Sequence, residues 1–166
     1  MPPRNVNPSD FNQKKLVENG PVFCERSHEI TVDRPLSEAM PLFTPKGEES
    51  WVPGWAPDYI SPETGETCEE MLFITSHGDE TTFWTCLEWQ PEAGHVRYLR
   101  LTPESRVGFV DVQCRADGPD KTQVRVVYQL HALSHSGRAY LRDMTQSAFV
   151  EMIDRWAQLI REIRAR

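Results

Sequence analysis

Residues 136–166 constrain this chain more than any other stretch, because they close it with one amphipathic helical pattern after a series of short β-like segments. At 3.6 residues per turn, Leu141, Ala148, Phe149, Met152, Ile153, Trp156, Leu159, Ile160 and Ile163 fall within roughly 140° of one another. Asp143, Glu151, Asp154, Gln158, Arg161 and Glu162 lie opposite. The spacing predicts a single helix N-capped by Ser136 and running to the chain end, on the order of 40 Å long. A lone helix of that length has to lie on a wide apolar surface. Its stripe is too broad for the narrow seam of a coiled coil.

The segments before it supply that surface. Residues 1–20 carry three prolines and no sustained period, so they read as a tail, and the domain spans 21–166. From Pro21, VFCERSHEITV reads as a strand with Cys24, Arg26, His28, Ile30 and Val32 on one face. Asp33 and Pro35 then start a short helix, and Thr44 with Pro45 starts a second. YISPETG reads as a turn-bearing lead-in, and the rest of the chain up to residue 132 is β, with turns at HGDE, QPEAG and DGPDK. Val110, Val112 and Cys114 share a face, as do Val124, Val126, Tyr128 and Leu130, so one side of the sheet is dry. Over 81–89 both faces are mixed, and the alternation leaves open which one points inward. The architecture is α+β: a curved antiparallel sheet of six to seven strands wrapped around the C-terminal helix, with two short helices after the first strand.

Composition narrows the partners. The net charge of −7 is spread along the chain, which argues against a nucleic-acid partner. No apolar run approaches the roughly 20 residues of a membrane span, and no leader pattern opens the chain, so a cytoplasmic protein is expected. Cys24, Cys68, Cys86 and Cys114 stand far apart in strand-like stretches and read as buried free thiols. His28, His77, His95, His131 and His135 show no helical i,i+4 pairing, and neither a GxSxG elbow nor a phosphate loop occurs. No metal and no cofactor is expected.

The element order, with LFTPKGEESWVPGW after the first strand, LEWQPEAGHVRYLRLTP at a strand end and the closing helix, resembles the SRPBCC superfamily. That helix-grip group includes START-like and polyketide cyclase/dehydrase-like proteins. The resemblance implies a cavity between sheet and helix for a small hydrophobic or aromatic ligand. It also admits a cyclase/dehydrase-like enzyme and a co-chaperone-like interaction domain as alternatives, and pairing into a homodimer. It carries no shared catalytic motif.

Candidate ligand contacts follow from the residues. Trp51 and Trp55 flank a Pro-Gly turn that would present both rings at the cavity mouth or plug the barrel end as core. Arg26 and His28 share a face with Ile30 and Val32, and Tyr98 and Arg100 share one with Val96, joined by Tyr128. A buried cation there needs a partner or a ligand, unless it reaches water at a strand end. Met152 and Trp156 lie on the helix stripe as combined core and cavity wall. A His or an acid on the inward face within hydrogen-bond reach of Tyr98 or Tyr128 would favour an enzyme; apolar groups with arginine alone would favour binding.

Overall fold

The computed structural model describes residues 20–164, so the tail expected over residues 1–20 lies, apart from Gly20, outside the described residues. Strand β1 (Phe23–Val32) leads into a short helical layer of α1 (Leu36–Ala39), a 3-10 turn (Met40–Phe43) and α2 (Pro45–Glu48). Then come β2 (Asp58–Ser61), β3 (Leu72–His77), β4 (Glu80–Gln90), β5 (His95–Thr102), β6 (Arg106–Ala116) and β7 (Thr122–Ala132). Helices α3 (His135–Asp143) and α4 (Gln146–Arg164) finish the chain. The seven strands form one antiparallel sheet in the order β1-β7-β6-β5-β4-β3-β2. Short β2 arises in the YISPETG lead-in.

The dry face lies where the alternation places it: Val110, Val112 and Cys114 on β6 and Val124, Val126, Tyr128 and Leu130 on β7 are all buried. On β4 the inward face is Thr82, Trp84 and Cys86, while Phe83 and Leu87 are exposed. A register shift between Cys86 and Glu88 then sets Trp89 opposite the buried Val96, so Trp89 returns to the core side.

The closing helix is two helices, not one. The backbone leaves the helical region at Met144 (φ −78°, ψ 62°). Thr145 restarts it, with Oγ1 accepting the Ala148 N–H at 3.1 Å as an N-cap does. Helix α3 is itself capped by Ser134 rather than Ser136, with its Oγ accepting the Gly137 N–H at 3.2 Å. Leu141 before the break and Phe149, Ile153, Ala157 and Ile160 after it are buried, so the apolar stripe runs through the interruption. Helix α4 packs across β1. No helix among the described residues is long and apolar enough to cross a membrane.

Cys24, Cys86 and Cys114 are buried free thiols, whereas Cys68 is exposed. It sits in the irregular stretch between β2 and β3, where no strand pairing covers it. On the outer face of the sheet, Phe23, His131, Val107, Leu101, Phe83 and Ile74 stand directly opposite one another on successive strands. This row, apolar except for His131, crosses six strands, and Phe23, Leu72 and Phe83 on that face are 42, 46 and 43% exposed.

Candidate functional site

The concave face of the sheet, α2 with the segment following it, and the two C-terminal helices enclose a cavity of about 480 Å³. Its aromatic wall is set by strand register. Phe73 on β3 and Trp84 on β4 are direct partners, and their rings stack 5.6 Å apart and 5° from parallel. Trp55 and Tyr98 stand edge-on to Trp84, with centroids 6.1 and 6.4 Å away. The polar tips are already engaged: Trp84 Nε1 donates to Thr75 Oγ1 at 2.9 Å, Trp55 Nε1 to the Pro45 carbonyl at 2.8 Å, and Tyr98 Oη to the Phe43 carbonyl at 3.1 Å. What these side chains offer a ligand is therefore ring surface.

Two arginines line the same space, and their surroundings differ. Arg106 grips Glu80 through two nitrogens, at 2.8 and 3.3 Å, donates to Ser105 Oγ, and lies over the Tyr140 ring at 3.4 Å. The Arg106 hydrogen bond holds the Glu80 carboxyl below its ordinary pKa. Arg100 has rings instead: its guanidinium lies 5.1 Å from the Trp84 centroid and 5.9 Å from that of Tyr128. Its Nε is buried with no hydrogen-bond partner. Register places Gly108 directly opposite Arg100, and a Cβ there would run into the Gln129 carbonyl, so this position has to remain a glycine.

Glu48, at the end of α2, also lines the cavity. By area it is only half-buried, because that area opens onto the cavity; protein surrounds the carboxyl, and loss of water raises its pKa from 4.5 to about 8. At neutral pH it is mostly a neutral acid. Burial also raises the phenols of Tyr98 and Tyr128, with Arg100 partly offsetting the effect at Tyr128.

Of the residues singled out from sequence, Trp55, Tyr98, Arg100, Tyr128 and Trp156 meet around this cavity. The other four lie elsewhere. Trp51 is 6% exposed, donates its Nε1 to the Leu42 carbonyl at 2.8 Å, and packs edge-on against Trp156, so it plugs the barrel end. Arg26 Nε donates to the Met144 carbonyl at 2.8 Å, and His28 Nε2 lies 2.7 Å from Asp154 Oδ1. Both belong to the seam between β1 and the helices, because α4 crosses β1 and takes that face. Met152 packs half-buried against the core, outside the cavity lining. Sequence reasoning missed Glu48, Phe73, Trp84, Glu80 and Arg106. Glu48, Val52 and Trp55 stand at i, i+4 and i+7 and all line the cavity, so helical spacing carried a signal for Glu48.

No protein-family model matches the chain, and no curated protein matches it in sequence. Solved structures do. Norcoclaurine synthase from Thalictrum flavum, in complex with dopamine and hydroxybenzaldehyde, superposes with a TM-score of 0.60 at 12% identity, covering 85% of this chain and 88% of that one. The ZhuI aromatase/cyclase from Streptomyces sp. R1128 gives 0.56 at 13% identity, over 86% and 94% of the two chains. This is the helix-grip fold. A protein from Arthrobacter aurescens solved in solution shares the helix grip as well, with a TM-score of 0.57 at 14% identity over 82% and 85%. At such identities the likeness is one of fold, and the polar groups of this helix-grip cavity are the chain's own.

Proposed function

We propose that the protein binds a small, largely aromatic molecule in the cavity between sheet and helices. The observation that carries this reading is the stacked Phe73–Trp84 pair, framed by Trp55 and Tyr98, on a cavity of about 480 Å³. That size lies within the range of small-molecule sites, and ring faces without free polar tips suit planar apolar groups. Native mass spectrometry of freshly purified protein is expected to find a retained aromatic compound. One- to three-ring aromatics are expected to raise the melting temperature by mass action. A flat thermal response across such a panel would remove the reading.

A second reading, a cyclase/dehydrase-like enzyme, is favoured by one specific observation: an acid, Glu48, faces the same cavity as Tyr98 and Tyr128 and keeps its proton at neutral pH. A carboxyl with a pKa near the working pH is suited to general acid–base chemistry. Its signature is exchange of a ligand C–H proton in deuterated water that Glu48→Gln abolishes while binding persists.

The homodimer is proposed to form through the outer face of the sheet, where the apolar row from Phe23 to Ile74 lies.

A further inference from the structure

The two cavity arginines differ in what balances their charge. Arg106 has Glu80, bound through both carboxylate oxygens. Among the described residues no carboxylate lies within salt-bridge distance of Arg100. The negative group that acts on it, Glu80, is already held by Arg106. Trp84 and Tyr128 flank the guanidinium with their rings, and the Tyr128 hydroxyl accepts a hydrogen bond from it, but neither brings a negative charge. Its Nε is buried and unpartnered, as is that of Arg106, and Gly108 opposite it contributes no side chain that could reach it. A guanidinium partly withdrawn from water without an anion is costly, and a bound ligand can supply the missing partner.

No other carboxylate of the cavity is free to compete for Arg100, and His77, which also lines it, brings no negative charge. The Arg106–Glu80 pair is internally neutral, and Glu48 is protonated at neutral pH. Walls of aromatic rings around one uncompensated cation fit a planar molecule bearing one negative group. Resting on the reading of the cavity as an aromatic-ligand site, we infer that the ligand is an aromatic carboxylate whose anionic oxygens pair with Arg100 while its rings lie against Phe73, Trp84 and Trp55. Arg100 then determines specificity for acids over neutral aromatics, since its planar fork matches a carboxylate.

The test uses the intact chain at neutral pH and matched pairs of one, two and three rings: benzoate and benzamide, 2-naphthoate and 2-naphthamide, 2-anthracenecarboxylate and its amide. Binding is read by calorimetry and tryptophan fluorescence. For the pair that fits the cavity, the acid is expected to bind at least about tenfold tighter than the amide, on the scale of a charge-assisted hydrogen bond. Arg100→Gln is expected to bring the acid-to-amide affinity ratio to about one, whereas Arg100→Lys keeps part of the preference. Equal binding of acid and amide by the unaltered protein overturns the inference and leaves the aromatic-site reading standing. Failure of all six compounds to bind overturns both. If Arg100→Gln does not fold, the acid-to-amide ratio of the unaltered protein and of Arg100→Lys still decides.

Discussion

Glu48 ties the cavity to pH. The unfolded chain releases this proton near the ordinary value of 4.5, whereas the folded protein holds it to about 8. The folded state therefore binds more protons across that interval, and the stabilisation is complete below about 4.5 and lost as pH rises to about 8. Glu48→Gln removes the titration. Its melting temperature is expected to gain on that of the parent protein from about pH 5 to about pH 9, and a constant offset between the two profiles would sink the assignment. At this scale the sequence was partly readable. Arg100 and Tyr98 were found because alternation on β5 sets them on the face of Val96, and Tyr128 because it lies among valines on β7. The same rule set Arg26 and His28 on the inward side of β1 but could not say that a helix crosses there. Alternation reports the side of a sheet, not what covers it. Trp84 went unassigned because both faces of its strand are mixed.

Among the elements, the seam between β1 and the C-terminal helices is built from polar contacts. Arg26 Nε donates to the Met144 carbonyl that the helix break frees, Gln146 Nε2 donates to the Ser27 carbonyl at 2.9 Å, and His28 faces Asp154. The break was hidden in the sequence because Leu141 and Phe149, on either side of it, both keep to the apolar stripe. Its visible sign is Thr145, a residue that caps helices better than it continues them. Arg26→Met keeps the aliphatic stem and removes the donors, so it should cost about 1–3 kcal/mol through the unsatisfied carbonyl. Thr145→Ala should cost about 1 kcal/mol through the lost cap. Both losses are read from urea unfolding, and ligand affinity should stay unchanged in each. A change in affinity with Arg26→Met would mean that β1 contributes to the cavity after all.

At the scale of the whole molecule, the plan of sheet and closing helix was legible because it depends on two periods and a set of turns, which the chain states clearly. What was not legible is the outer face, since exposed apolar residues such as Phe83 and Phe23 look ordinary until register aligns them across strands. Six strands about 4.8 Å apart and one row about 7 Å deep give an area on the order of 200 Å². That is about a quarter of the roughly 800 Å² each partner buries in a standard interface, and interfaces of that kind have an apolar centre within a polar rim. Arg97, Asp111, Gln129 and Glu25 lie on the same face beside the row and can form the rim. A two-fold axis lets the patch meet its own copy, which makes a second chain the occupant that fits. Light scattering is expected to give twice the 19.2 kDa of the chain. Phe83→Glu sets a charge in the row on a residue that is already exposed, so it should yield monomers with the same ligand affinity. A parent protein that scatters as one chain at its highest soluble concentration would show that the row does not pair with itself.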